Sequence, residues 1–347
     1  MTPLKIGIIG AGGIAQVYAK LWGKVPGVKL VGIVDPTLSR AQKMAKPYRI
    51  PAFTTLRDLK KGTDADVVCI CTPSGTHAAI GREAIRAGME VFVEKPIDIK
   101  VSKALGLLKA ARRARARLAV SSQKRWAKAS VQVRQWVKSD KLGKIFLFRA
   151  VAPWYRSQRY YDKGRRGTFK ADGGGALIIQ AIHMVDLALF LTGKKAVSAS
   201  AASGTFTHQI QVEDTLVGHL RMNDGTLGQV LASTSVHPGF AERVELYGEK
   251  GTVIWEGGRV VYSDFRKKPL PDEGRWTTSD KMKFSKKSED PFETSFLAQL
   301  KDAAVYFKTG KGHIVTGASA TQTLAVIEAL YKSARTRRET RVQQIKG

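Results

Sequence analysis

Three glycines and one carboxylate are spaced to hold a dinucleotide. Gly10, Gly12 and Gly13 follow a short apolar run at 5–9, and Asp35 ends a second run at 29–34, about 20 residues on. Gly10 permits a sharp turn, and Gly12 leaves room for backbone to approach a pyrophosphate. Ala15, where a third glycine often sits, keeps the next helix close to the sheet. That helix, starting near Gly13 and Ile14, points unpaired N–H groups and its positive end at the phosphates. Asp35 is placed to meet adenosine ribose hydroxyls and to repel a ribose phosphate, which favours NAD. Arg40, a few residues on, could receive that phosphate and keeps NADP as the alternative. The bland counterpart is a strand–helix–strand unit whose glycine turn is empty.

Proton transfer has two candidate carriers. The strand at 90–94 ends in Glu94-Lys95-Pro96, and a lysine there can reach a nicotinamide ring and a bound hydroxyl; a surface lysine is the generic reading. Pro96 fixes the local chain, a cis peptide bond being one means. After the strand at 67–71 come Thr72-Pro73-Ser74 and then His77, where the nicotinamide half of a dinucleotide would run. Ser74 or Thr76 is also in place to cap the following helix. His183 shares a helix face with Gln180 on one side and Asp186 on the other. Histidine is the side chain suited to titrate near neutrality, but a lone one on a helix is more often structural than catalytic.

The elements that must position these groups come in two patterns. Strands at 5–9, 29–34, 67–71, 90–94 and 118–121 alternate with helices at 13–24, 38–46, 77–87 and 102–115. That rhythm implies a parallel sheet with helices on both faces and ligands outside the carboxyl ends of its strands. After about Lys124 the pattern changes. A helix at 130–139 and a strand at 144–151 precede a polar, aromatic and basic loop at 153–172 and the triplet Gly173-Gly174-Gly175. A helix at 176–191 follows, then strands at 196–204, 214–222, 227–235 and 243–248, with a hairpin at Asn223-Asp224-Gly225. Helices at 291–308 and 316–334 end the chain, and the basic stretch 267–287 reads as a surface excursion. The expected fold is therefore α/β. A doubly wound, Rossmann-type parallel sheet spans 1–123, and an α+β domain with an open, mostly antiparallel sheet spans 124–347.

Bulk properties bound the function. The 347 residues suffice for two domains, and 43% hydrophobic with 25% charged residues is ordinary for a globular protein. No run of about 18 apolar residues is present, so no membrane span is expected. The first strand starts so early that no signal peptide is expected either, which points to the cytoplasm. Cys69 and Cys71 fall on one strand as small apolar side chains, and no metal centre is expected. Lys and Arg number 58 against 29 Asp and Glu, a net charge of +29. The densest runs, at 109–117 and 335–341, are not interleaved with aromatics, so a solvated basic surface is favoured over specific nucleic-acid binding.

With these residues in view, the chain resembles the glucose–fructose oxidoreductase / inositol dehydrogenase / rhizopine-catabolism (Gfo/Idh/MocA) family. The matching segments are Gly10-Ala11-Gly12-Gly13-Ile14-Ala15, Asp35, Cys71 through His77, Glu94-Lys95-Pro96, Gln123 with Arg125, and Gly173 through Gln180 and His183 to Asp186. Glu213-Asp214-Thr215 and Tyr247 through Thr252 fit its second domain. The resemblance implies hydride transfer between a nicotinamide and a sugar, cyclitol or sugar derivative, with Lys95 polarising the reacting oxygen and His183 as acid–base partner. It also implies a homodimer or homotetramer, and cofactor contacts from Thr72, Pro73, Ser74, His77, Glu94, Lys95 and Gln123. Substrate contacts would come from Lys95, Arg125, Gln180, His183 and a loop carrying Trp154, Tyr155, Arg156, Tyr160, Arg165 and Arg166. The aromatic faces of that loop suit sugar rings, and its arginines suit a carboxylate or phosphate. One departure stands out. Many relatives carry Asp four residues before the histidine, and this chain has Ile179. Either Lys95 and His183 suffice, or Asp186 or a loop residue substitutes, or activity is weak. An epimerase-like enzyme that keeps NAD bound and a non-catalytic NAD-binding regulator are the competing readings.

Overall fold

The computed structural model describes residues 2–162, 166–266 and 292–346; Arg165 and the 267–287 stretch lie outside the described residues. Six short strands, β1 (Leu4–Ile9), β2 (Val28–Val34), β3 (Ala52–Phe53), β4 (Val67–Ile70), β5 (Glu90–Val93) and β6 (Leu118–Val120), pair in parallel in the order β3-β2-β1-β4-β5-β6. Their apolar runs are continuous because both faces are covered: Ile6, Ile8, Val67, Val68 and Val91 are fully buried. The covering helices are α1 (Gly13–Trp22), α2 (Leu38–Ala45), α3 (Leu56–Gly62), α4 (His77–Arg86) and α5 (Val101–Ala114). Strand order reverses between β1 and β4, which opens a crevice at their carboxyl ends. The sequence reading missed β3 and α3. A two-residue strand at the sheet edge, entered through Pro51, carries no periodicity to read.

After α6 (Lys128–Lys138) the chain builds an eight-stranded sheet from β7 (Ile145–Pro153), β8 (Ala196–Gly204), β9 (Thr215–Met222), β10 (Leu227–Ser233), β11 (Arg243–Gly248), β12 (Gly251–Glu256), β13 (Arg259–Phe265) and β14 (Thr340–Arg341). Its order is β13-β12-β11-β7-β10-β9-β8-β14; β7 and β10 are parallel and every other pair is antiparallel. Two short helices, α7 (Gln158–Asp162) and α8 (Phe169–Asp172), stand within the stretch read as loop. Helix α9 (Ile182–Thr192) lies on β7, and α11 (Gly317–Thr336) lies on β8. Helix α10 (Phe292–Thr309) returns to the first domain and inserts Phe296, Leu300 and Phe307 beside α1. Helix α10 therefore fastens the second domain to the first.

The opposite sheet face is open. Along it Val217, Leu231, Val151 and Arg243 stand in register across four strands, and Val217 and Leu227 are 45% and 46% exposed. By length and composition alone, the helical stretch 169–192 could cross a membrane, but 83% of its apolar window is buried inside the fold. Its apolarity is that of a core helix, with Asp186 paired inside the protein.

The stretch read as one helix from Ala176 differs in form. Residues Leu177–Ala181 form a π turn, and regular α geometry resumes at Ile182. Such single-turn insertions are common at functional sites.

Candidate active site

The glycine turn is built for close backbone approach. Gly10 has φ of +102°, and a Cβ there would lie 2.9 Å from the Cys71 carbonyl oxygen. A Cβ on Gly12 or Gly13 would meet nothing within 4 Å, so the space above the α1 N-terminus is open to a pyrophosphate. Asp35 accepts hydrogen bonds at 3.0 Å from the Ala11 N–H and at 3.0 Å from the Thr37 N–H, which locks the turn to β2. Arg40 approaches the same carboxylate at 3.7 Å, its side chain mostly exposed. Gln123 is buried with an Oε1 that finds no partner among the described residues, an acceptor ready for an amide donor. These features fit a bound dinucleotide.

Several residues assigned to cofactor contact do other work. His77 is buried, with Nδ1 2.8 Å from the Pro96 carbonyl and Nε2 2.8 Å from the Thr72 carbonyl. It therefore fastens the loop after β4 to the Lys95–Pro96 segment rather than facing the crevice. The Lys95–Pro96 peptide is cis. Glu94 is likewise turned inward, accepting from the Tyr18 hydroxyl at 2.7 Å and the Lys95 N–H at 2.8 Å. Neither Ser74 nor Thr76 caps α4, since the Thr76 hydroxyl donates instead to the Pro73 carbonyl. The N–H of Ala78, in the first turn of α4, is met by Asp98, a loop carboxylate that also accepts from the Ile99 N–H.

The helix that carries His183 is held at its base by Glu213. Its carboxylate accepts from the N–H groups of Gly175 (2.8 Å) and Leu177 (3.0 Å) and from the Tyr331 hydroxyl (2.8 Å), and its carbonyl accepts from the Ala176 N–H (3.0 Å). Burial pushes the Glu213 carboxyl up, against the pull of those donors. The sequence reading quoted Glu213 without a role. The π turn that follows aims the Ile179 carbonyl at Lys95, whose Nζ donates to it at 2.8 Å.

At position 179, where the family resemblance leads to the expectation of a carboxylate, Lys95 meets a backbone oxygen. Burial lowers the Lys95 ammonium below its ordinary range; Glu94 opposes that shift, Arg166 adds to it, and Asp172 opposes it. Asp172, which the sequence reading passed over, is thus a carboxylate whose field reaches Lys95; it also accepts from the Gly167 N–H at 2.8 Å. Its position directly before the glycine triplet was the available signal.

His183 and Lys95 line one small cavity between the domains, together with Ser121, Ser122, Asp186 and Thr323. Burial first, then the positive charges of Lys95 and Lys124, hold the His183 imidazole well below its ordinary value. Among the described residues no hydrogen bond reaches its ring. Asp186 does not stand in for the missing carboxylate. It is committed to Arg125, whose Nε donates at 2.8 Å, and to the hydroxyls of Ser122 and Thr323. Arg125, expected on the substrate, is consequently a buried positioning residue that ties the segment after β6 to α9.

The loop after β7, expected over the substrate, brings Trp154, Arg156, Tyr160 and Arg166 together. Arg166 stands 4.3 Å from the Tyr160 ring centroid, and Arg156 stands 5.6 Å from Tyr160 and 5.2 Å from Trp154. The Gln180 amide reaches the Tyr160 hydroxyl at 3.4 Å, linking this stack to the helix that carries His183, while its Oε1 is buried without a partner among the described residues. Tyr155 turns away, packing edge-on against His237 at 5.0 Å. Among the described residues no group of three or more His, Cys, Asp or Glu could hold a metal ion.

Comparison with known proteins fits this geometry. Residues 4–122 match the GFO_IDH_MocA oxidoreductase family with its NAD-binding Rossmann fold, and residues 130–254 match the GFO/IDH/MocA C-terminal domain. The chain is 30% identical to D-glucoside 3-dehydrogenase of Escherichia coli, over 65% of this chain and 68% of that one. It is 28% identical to inositol 2-dehydrogenase of Rhizobium meliloti, over 74% and 77%. The WlbA dehydrogenase of Bordetella pertussis, solved with NADH and UDP-GlcNAcA, superposes with a TM-score of 0.85 at 27% identity, covering 98% of this chain and 99% of that one. The chain belongs to the GFO/IDH/MocA oxidoreductase family and is an enzyme with an NAD-binding Rossmann domain.

Proposed function

We propose that this enzyme oxidises a secondary alcohol of a sugar or cyclitol, with an acidic sugar derivative as the favoured substrate class. The observation that carries this reading is the joint placement of Lys95 and His183 on one cavity past the carboxyl end of β5, in the same sheet whose β1 runs into an open glycine turn. Bound NAD supplies the hydride acceptor. The Lys95 ammonium, already steered by the Ile179 carbonyl, donates to the reacting oxygen and favours its developing negative charge. His183, held neutral by burial and by two nearby cations, accepts the hydroxyl proton. In the reverse direction it returns that proton. The Arg156–Tyr160–Arg166 stack favours a carboxylate- or phosphate-bearing sugar, and the WlbA relative crystallised with UDP-GlcNAcA supports the same class. A second copy covering the open sheet face, along the Val217–Leu231–Val151 row, would give the dimer.

The test is nicotinamide absorbance with NAD or NADP across uronates, nucleotide sugars, cyclitols and glycosides, at moderate salt. Net reduction of NAD with an acidic sugar is expected. Product formation without net nicotinamide change would replace dehydrogenation by a closed redox cycle. Asp35 makes a separate prediction about cofactor choice. Asp35→Ser, which leaves Arg40 free of its carboxylate, raises KM for NAD about tenfold and lowers KM for NADP, since a charged hydrogen bond to ribose is lost. Unchanged preference in initial-rate kinetics would remove Asp35 from cofactor selection.

A further inference from the structure

The loop between β8 and β9 is exposed along most of its length, with Phe206, Thr207 and Gln209 facing solvent. One side chain goes the other way. His208 is only 3% exposed, with Nδ1 3.1 Å from Asp214 Oδ2 and Nε2 2.7 Å from the Arg156 carbonyl oxygen. Asp214 is itself fully buried and fixed, accepting from the N–H groups of Phe206 (3.0 Å) and Thr207 (2.9 Å). Burial would raise its carboxyl, but those N–H donors and His208 hold it below the usual carboxylate range. The His208 ring also packs on Tyr161 at 4.9 Å, and the Tyr161 hydroxyl meets Thr234 Oγ1 at 2.8 Å.

The two loops are zipped beyond that contact. The Gln209 N–H donates to Gln158 Oε1 at 2.9 Å, and the Gln211 N–H donates to the Gly167 carbonyl at 2.9 Å. Arg156 and Arg166 both stand against the Tyr160 ring, and the Arg166 charge reaches Lys95. None of Asp214, His208 or Gln209 lines the Lys95–His183 cavity.

We infer that His208, anchored by Asp214 and bonded to the Arg156 carbonyl, is a positioning residue that sets the arginine pair for the anionic group of the substrate. The inference deepens the acidic-sugar reading and rests on it. Long arginine side chains lose little entropy on binding only when their backbone is already fixed, so releasing Arg156 weakens the grip on an anion while leaving the dinucleotide site alone.

The experiment compares wild type, His208→Ala and His208→Gln, the last retaining an amide donor for the carbonyl. Trypsin cleavage after Arg156 and Arg159 under native conditions is followed by mass spectrometry, and calorimetry of the NADH-loaded protein, which has no hydride acceptor, reads binding of UDP-GlcNAcA and of myo-inositol. Expected for His208→Ala are cleavage about tenfold faster and UDP-GlcNAcA binding about tenfold weaker, with Tm lower by a few degrees and the Kd values for NADH and myo-inositol unchanged. His208→Gln should recover much of both effects. Unchanged cleavage overturns the contact. Equal weakening of the charged and uncharged ligands, or no binding of UDP-GlcNAcA by wild type, overturns the anionic assignment. Both effects appearing in a protein that oxidises neither ligand supports the positioning role while counting against the dehydrogenase reading.

Discussion

Lys95→Met is expected to lower kcat by about 10³-fold, toward the upper part of the range for a group that polarises a reacting oxygen and assists proton transfer. The substitution preserves much of the side chain's length and apolar stem, so packing at the half-buried site survives. What it removes is the donor that lies 2.8 Å from the Ile179 carbonyl and projects toward the cavity shared with His183. NAD binding should persist, because the glycine turn, Asp35 and the α1 N-terminus are untouched. A titration of the variant with NAD alongside steady-state rates separates the two effects. A loss of less than about tenfold in kcat would place the main polarising group elsewhere.

Gly175→Ala should act on the fold and the site together. A Cβ at this position would sit 1.7 Å from the Glu213 carbonyl oxygen and 2.8 Å from its carbonyl carbon, both backbone atoms that cannot swing aside. Relief requires the Glu213 clamp on the start of the π turn to part, and with it the aim of the Ile179 carbonyl. Overpacking of that kind costs about 3 kcal/mol and should lower Tm by roughly 5 °C. Gly12→Ala is the matched control. Its Cβ meets no protein atom within 4 Å, so thermal stability should hold while NAD affinity falls. Calorimetry that finds Gly175→Ala as stable as wild type would refute the close approach.

Much of this was legible in the sequence because it is local. The glycine turn, Asp35, the strand-end lysine and the glycine-entered helix announce themselves by spacing, and the hairpin at Asn223-Asp224-Gly225 is observed with Gly225 at φ +87°. The ends of β8 and β11 fall where alternation stops, at Gly204 and Gly248. What was not legible depends on partners distant in sequence. The π turn keeps a helical hydrophobic pattern, and its extra residue is fixed by Glu213, Tyr331 and Lys95 from three other parts of the chain. His77 reads as a crevice residue until the Pro96 and Thr72 carbonyls are seen to occupy both ring nitrogens. Arg125 and Asp186 each look free for chemistry and are in fact each other's partner. Strands β12 and β13 were missed because the Tyr247–Thr252 segment was read as a motif rather than as the turn of a continuing meander.

The absence of a carboxylate at Ile179 makes the pH dependence of kcat/KM the most direct test of the shared roles of Lys95 and His183. A base must be unprotonated to act, so activity in the oxidation direction is lost as pH falls through the His183 value. Burial and the charges of Lys95 and Lys124 place that loss well below histidine's usual 6.5. Lys95 must be protonated to donate, so activity is also lost as pH rises through its value, which burial brings below the usual 10.5. The account predicts a profile with both limbs displaced downward, in which His183→Asn abolishes the acid limb and Lys95→Met the alkaline one. An acid limb at or above 6.5, or one that survives His183→Asn, would contradict it.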